Sequence, residues 1–198
     1  MNLSRIRRAL ISIISILILA LIAYSASSSV SNSTVIKGET TMVFHLTSPA
    51  FSTSAAIPTL YTCEGKDTSP ALAWTDIPAS TKSLALIVDD PDAPDPAAPK
   101  MTWVHWVLYN IPATTMALEA NMTDLPTGAL SGLNDWKKTG YGGPCPPIGT
   151  HRYFFKLYAL DTVLSDLHQP TKAVLEKAMA GHILGQATLI GTYHKGKK

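Results

Sequence analysis

The placement of proline limits how this chain can fold. The chain contains fourteen prolines, and most of them lie between apolar runs rather than inside them. Because proline lacks a backbone N–H and ends regular structure, this spacing favours many short strands. The apolar runs with strand-like composition are Met42–Thr47, Ser83–Asp89, Trp103–Asn110, Tyr153–Leu160 and Gln186–Tyr193.

The order of these segments predicts a mainly β fold. Ser83–Asp89 is a continuous apolar run that ends in acids, which is typical of a strand buried on both faces. A helix is predicted for Lys172–Ala180, with Thr171 as its N-cap and Gly181 as its C-terminal stop. Strands therefore outnumber helices, and we expect an antiparallel sandwich or barrel with a few short peripheral helices.

Composition excludes several classes of protein. The 198 residues are 46% hydrophobic and 15% charged, which fits one globular domain rather than a disordered regulator or a coiled coil. The formal net charge is +2, but three arginines lie in the first 25 residues, and the remainder has 13 basic and 14 acidic residues. We therefore do not expect general attraction to nucleic acid.

Residues 1–25 have the composition of a signal peptide. The segment starts with basic residues, which are Arg5, Arg7 and Arg8. A 15-residue apolar run follows at Ala9–Ala23, and the small residues at the cleavage site are Ala23 and Ser25. The alternative is an uncleaved inner-membrane anchor at residues 9–24, which is short for a membrane span. We expect export to the periplasm or medium, a flexible linker at 26–40 and a single domain at 41–198.

The two cysteines, Cys63 and Cys145, are 82 positions apart. Export would allow them to form a disulfide, because oxidising compartments permit pairing. Their distance in space cannot be derived from one sequence, so the sequence leaves this disulfide open.

Three polar residues stand at the ends of apolar strands or inside them. Asp90 begins a proline-rich loop, His105 lies within a strand, and His151 follows a segment rich in glycine and proline. Taken singly, each has an ordinary structural explanation: a solvated turn, a satisfied core histidine and a rigid crossover.

Taken together, the segments around these residues resemble the phosphatidylethanolamine-binding protein family, and most closely its bacterial, Raf-kinase-inhibitor-like branch. The resemblance extends from about Met42 to Tyr193 and implies an antiparallel β-sandwich with a small surface pocket. Its main motifs are Asp90-Pro91-Asp92-Ala93-Pro94, Trp103-Val104-His105-Trp106, Gly142-Gly143-Pro144-Cys145-Pro146-Pro147 and Gly149-Thr150-His151-Arg152-Tyr153-Phe154-Phe155. Asn134-Asp135-Trp136 is a supporting match.

The resemblance implies a ligand pocket formed by Asp90, His105, Gly143, Pro144, His151 and Tyr153. The imidazoles, the phenol and the backbone N–H groups around Gly143 and Cys145 could donate to a phosphate. Asp90 would orient one histidine or accept the amine of an ethanolamine headgroup. One departure is Asp67, where relatives commonly carry an amide.

We therefore expect an exported, non-enzymatic protein that binds phosphate or a phosphoethanolamine-like headgroup and needs no cofactor. If imidazolium is the working form, affinity should weaken as the pH rises through roughly 6.5. Membrane contact is expected only through an uncleaved N-terminus, and no protein partner is assigned.

Three alternatives use the same residues or the same surface. Cys145, with His105 or His151 and Asp90, could form a Cys-His-Asp hydrolase. The two histidines and Asp90 could instead bind a metal, although no closely spaced ligand pair is present. Inhibition of a kinase or a protease through protein contact is a further activity that the resemblance suggests.

Overall fold

A computed structural model of the chain describes residues 43–196. The predicted signal peptide or anchor, the linker at 26–40 and the first residue of the Met42–Thr47 run lie outside the described residues. Within 43–196, no helix has the length and apolarity needed to cross a bilayer.

Residues 43–196 form two antiparallel sheets, and the predicted mainly β fold is confirmed. The small sheet has the order β1-β2-β5, and the large sheet has the order β6-β4-β3-β7-β8. The strands are β1 (His45–Thr47), β2 (Leu72–Thr75), β3 (Ser83–Ala93), β4 (Met101–Pro112), β5 (Ala117–Leu118), β6 (Leu130–Ser131), β7 (Thr150–Leu160) and β8 (Ile183–His194).

The central strand β3 is buried on both faces, as its apolar run predicts. Leu84, Leu86 and Val88 face a core that includes side chains of both sheets. Ala85 and Ile87 face a second core, closed by helix α1 (Lys172–Met179). The strand continues past its apolar run to Ala93, and this last part carries acidic residues.

Helix α1 matches the predicted helix closely, with one difference in how it begins. Thr171 occupies the N-cap position, but its side chain makes no capping hydrogen bond, and its carbonyl accepts the N–H of Leu175 at 3.0 Å. Gly181 has φ +84°, which suits a glycine after a helix end. The short elements β2, β5, β6 and a 3₁₀ turn at Thr59–Tyr61 were not predicted, because four or fewer residues show no clear periodicity.

An ion pair joins the end of β3 to the start of β7. Two side-chain nitrogens of Arg152, Nε and Nη2, donate to the carboxylate of Asp92 at 2.9 and 2.7 Å, and the backbone N–H of Arg152 donates to it at 2.9 Å. This three-bond contact holds the segment after Asp90 beside His151.

A disulfide joins Cys63 to Cys145, so the two cysteines are paired, a question that the sequence leaves open. It links the segment after the 3₁₀ turn to the loop before β7. Two hydrogen bonds support the same contact: the N–H of Cys63 donates to the carbonyl of Pro144 at 3.1 Å, and the hydroxyl of Tyr141 donates to the carbonyl of Tyr61 at 2.9 Å.

Replacing both cysteines should destabilise the domain. The crosslink closes a loop of 82 positions, and its loss should lower the free energy of unfolding by about 2–4 kcal/mol. The measurement is urea unfolding of the oxidised protein and of a Cys63→Ser, Cys145→Ser variant. Wild type unfolded with a reductant should match the variant. Equal midpoints for the oxidised protein and the variant would contradict the expectation.

The Asp92→Asn substitution should give a loss of stability that depends on pH. Hydrogen bonds from Arg152 lower the pKa of Asp92 below its usual value. The ion pair therefore contributes above that usual value, and the contribution disappears as the pH falls through the lowered pKa. We expect a loss of about 1–2 kcal/mol at pH 7, because Arg152 is half exposed.

The matched control is Asp124→Asn, which removes an exposed carboxylate elsewhere. Urea unfolding at neutral pH and in acid should show the Asp92 difference shrinking in acid. A difference that stays constant down to full protonation of the carboxylates would show that the ion pair is not its cause.

Candidate functional site

A cavity of about 370 Å³ opens where the end of β3 meets β4 and the start of β7. Its polar side chains are all buried, whereas much of its apolar wall is exposed to solvent. The polar residues are Asp90, His105, His151 and Tyr153, and the others are Ala93, Pro94, Met101, Trp103, Trp136, Cys145, Pro146 and Pro147.

The sheet register brings the polar residues together. Strand β3 lies between β4 and β7, and it carries Asp90 near its end. Strand β4 contributes His105, and β7 contributes His151 and Tyr153, which are two residues apart and so share one face of the strand. Four of the six predicted pocket residues therefore line one cavity.

Asp90 and His151 form a buried pair. His151 Nδ1 lies 2.6 Å from Asp90 Oδ2, and His151 Nε2 lies 3.0 Å from the carbonyl oxygen of Ile148. A carbonyl can only accept, so Nε2 carries a hydrogen and Nδ1 shares a proton with the carboxylate. Both nitrogens of His151 are thus engaged within the protein, so neither is free to donate to a ligand in this arrangement, which differs from the expectation drawn from the resemblance. The same contact holds the carboxylate of Asp90 in place.

Asp90 is itself held at both oxygens. Its Oδ1 accepts the N–H of Asp92 at 2.8 Å, while Oδ2 faces His151. Each carboxylate oxygen has a second lone pair, so Asp90 retains acceptor capacity toward the cavity.

His105 keeps one nitrogen free. Its Nδ1 lies 2.6 Å from the carbonyl oxygen of Gly142 and must donate to it. Its Nε2 has no hydrogen-bond partner among residues 43–196. Burial lowers the pKa of His105, while the Gly142 carbonyl and nearby carboxylates, Asp90 first among them, act in the opposite direction. Because its pKa is lowered, the His105 imidazole stays neutral over a wider pH range than an ordinary histidine.

The hydroxyl of Tyr153 is buried, and within the described part of the chain it has no hydrogen-bond partner. The residue is 1% exposed. Burial, followed by the charge of Asp90, raises the pKa of this hydroxyl well above its usual value, so it stays protonated. A buried hydroxyl without a partner is costly in a folded protein, and a ligand that accepts its hydrogen would remove that cost.

Two tryptophans complete the cavity wall. The rings of Trp103 and Trp136 meet edge to face at 5.4 Å, and His105 packs edge to face on Trp136 at 5.2 Å. Trp136 is held in place by Asn134, whose Oδ1 accepts the backbone N–H of Trp136 at 3.0 Å. The other two tryptophans, Trp74 and Trp106, are buried in the core shared by the two sheets. The Asn134-Asp135-Trp136 motif was the available signal for Trp136.

Gly143 and Pro144 do not line this cavity, and the predicted backbone anion site is corrected at Gly143. Its N–H donates to Asp67 Oδ1 at 2.6 Å, so it is not free for a ligand. Gly143 instead lines a neighbouring cavity that shares Trp136 and Cys145 with the first. A Cβ at position 143 would overlap the backbone of Tyr61, which explains why this close contact needs glycine.

The hydrolase alternative fails in this oxidised form of the chain. Cys145 lines the cavity, but its sulfur is bonded to Cys63, so it offers no thiolate nucleophile. The metal alternative also lacks support, because no group of three or more His, Cys, Asp or Glu side chains within 43–196 is arranged to hold an ion. Both ring nitrogens of His151 are already in hydrogen bonds.

Comparison with known proteins identifies relatives of this domain. A UPF0098 protein of Methanothermobacter thermautotrophicus is 50% identical over 155 residues, which cover 77% of this chain and 99% of that protein. A UPF0098 protein of Chlamydia pneumoniae is 46% identical over 154 residues, covering 76% and 98%.

Solved structures give the same result. The crystal structure of a phosphatidylethanolamine-binding protein homologue, CT736, from Chlamydia trachomatis has a TM-score of 0.73 and 44% identity, covering 78% of this chain and 99% of that one. Escherichia coli YbcL, described as a member of the mammalian PEBP family, has a TM-score of 0.70 and 35% identity, covering 77% and 99%. The phosphatidylethanolamine-binding protein family profile matches residues 47–194, and the chain therefore belongs to this family.

Proposed function

We propose that this domain binds a small anionic group, such as phosphate or the phosphoethanolamine-like headgroup of a lipid, in the cavity that Asp90, His105, His151 and Tyr153 line. The observation that supports this most directly is the buried Tyr153 hydroxyl, which has no partner within residues 43–196. His105 Nε2, in the same cavity, is the second free site for a ligand oxygen.

These groups can bind a headgroup by complementary roles. Tyr153 donates its hydroxyl hydrogen, and protonated His105 donates from Nε2 to a phosphate oxygen. Asp90 accepts either a protonated phosphate oxygen or an ammonium group, and the Trp103 and Trp136 rings can pack on the methylenes or the cation of an ethanolamine. The volume of about 370 Å³ suits a headgroup and is small for acyl chains.

The proposed activity is binding rather than catalysis. The cavity contains hydrogen-bond acceptors and donors, but the sulfur of its cysteine, Cys145, is in a disulfide and cannot act as a nucleophile. Export to the periplasm or medium, and membership of the bacterial Raf-kinase-inhibitor-like branch, belong to the same proposal. They rest on the sequence of residues 1–25 and on the motifs around Asp90, His105 and His151. None of the described contacts favours inhibition of a kinase or a protease.

Removing the free hydroxyl should weaken ligand binding while leaving the fold intact. We expect Tyr153→Phe to raise the Kd for phosphoethanolamine about tenfold, because a hydrogen bond to a charged ligand oxygen is lost. Isothermal titration calorimetry measures this change. The matched control is Tyr158→Phe, since Tyr158 lies on the same strand but faces the second core.

Equal affinities for wild type and Tyr153→Phe would reject the proposed role of this hydroxyl. No measurable binding of phosphate, phosphoethanolamine or a phosphodiester to wild type would reject the proposed function as a whole.

Binding should also be coupled to protonation of His105. Burial lowers the pKa of the free imidazole, whereas an anion at Nε2 favours the protonated ring. Affinity should therefore rise as the pH falls from 8, by at most about tenfold per pH unit, and level off below the pKa of free His105. Dimethyl phosphate is the suitable probe, because its single charge is constant over this range.

A His105→Gln variant is the control, because glutamine can hydrogen-bond but does not titrate in this range. Its binding should be weaker and nearly independent of pH. If wild type binds dimethyl phosphate with constant affinity from pH 5 to 8, then His105 does not act through its imidazolium form.

A further inference from the structure

One peptide group connects Asp67 to His105. The carbonyl oxygen of Gly142 accepts the hydrogen of His105 Nδ1 at 2.6 Å. The N–H of Gly143 donates to Asp67 Oδ1 at 2.6 Å. That carbonyl and that N–H belong to the same planar peptide unit. The imidazole of His105 and the carboxylate of Asp67 are therefore hydrogen-bonded to opposite ends of one peptide dipole.

Hydrogen bonds at the two ends of a peptide group strengthen each other. A carboxylate that accepts the N–H draws that hydrogen toward itself and increases the negative charge on the carbonyl oxygen. The carbonyl then becomes a better acceptor for Nδ1–H, and still better for the hydrogen of an imidazolium ring. The same logic applies where a carboxylate orients a histidine through direct contact.

The geometry of the loop at Gly142 and Gly143 is tightly constrained. The N–H of Gly142 donates to the backbone carbonyl of His105 at 3.0 Å, so Gly142 and His105 are joined by two hydrogen bonds. A Cβ at position 143 would lie 2.5 Å from Asp67 Oδ1, so the glycine permits the contact. Asp67 has φ +55°, a conformation that Asp and Asn adopt more readily than most residues.

We propose that Asp67 is a positioning residue for the ligand cavity, which acts on His105 through the Gly142–Gly143 peptide. The carboxylate, the peptide unit and the imidazole form one hydrogen-bonded relay. The relay keeps the hydrogen on Nδ1, leaves Nε2 for the ligand and stabilises the protonated ring. Its consequence for binding rests on the proposed function, but the relay itself can be tested without a ligand.

Other groups also act on the His105 ring and stay constant in this test. Burial disfavours the charged ring, and Asp90 and Asp89 on β3 favour it, while the charge of Asp67 also acts on the ring directly through space. Tyr153 on β7 packs edge to face on His105 at 5.2 Å, and His151 lines the same cavity. Two variants of Asp67 separate its contribution from these.

The test is an NMR titration of His105 in the full domain without ligand, with the His105 signal identified by its absence from His105→Gln. Asp67→Asn keeps an acceptor oxygen for Gly143 and tolerates the same φ, but removes the charge. Asp67→Ala removes both the charge and the acceptor. Glu119→Gln, an exposed position outside the described cavities, is the charge control.

We expect the pKa of His105 to fall by about 0.5–1 pH unit in Asp67→Asn. It should fall further in Asp67→Ala and remain unchanged in Glu119→Gln. The amide proton signal of Gly143 should move upfield in Asp67→Asn, because its acceptor is no longer charged. With ligand present, the pH dependence of dimethyl phosphate binding should move to lower pH in Asp67→Asn.

Two results would overturn the relay. One is a pKa of His105 that is the same in wild type and both Asp67 variants. The other is an equal fall in Asp67→Asn and Asp67→Ala, which would show that the charge acts through space and not through the peptide. If wild type binds none of the probe ligands but His105 responds as expected, the proposed function fails and the relay stands.

Discussion

The burial of strand β3 on both faces is the constraint on which the rest of the domain depends. Its side chains alternate between the core shared by the two sheets and the core under helix α1. Strands β4 and β7 satisfy its backbone on either side. A strand fixed in this way also fixes the position of Asp90 near its end, and this carboxylate reaches the cavity with both oxygens already anchored.

The chemistry of the cavity depends on which hydrogen-bonding groups already have protein partners and which are free. His151 and the N–H of Gly143 are committed to protein acceptors. Tyr153 and His105 Nε2 are not, within the residues that the structure describes. Under the proposed function, ligand recognition would therefore depend on these few free groups and on their protonation state.

The family motifs and the apolar runs allowed much of this to be predicted. Ser83–Asp89 identified the central strand, and four of the residues inferred from resemblance share one cavity. Hydrogen-bond partners could not be predicted, because they depend on loop conformation. For example, the N–H of Gly143 donates to Asp67, which is 76 positions away in the sequence. Composition alone could not separate Trp136, a residue of the cavity wall, from Trp106, a residue of the core, because the side-chain type does not determine tertiary placement.

The crosslink between Cys63 and Cys145 also bears on the entropy of recognition. Cys145 lies in the cavity wall, and its partner is fixed to a separate segment of the chain. The wall is therefore ordered when the domain folds, and an incoming molecule does not have to immobilise it. Such preorganisation leaves more of the interaction free energy available as affinity.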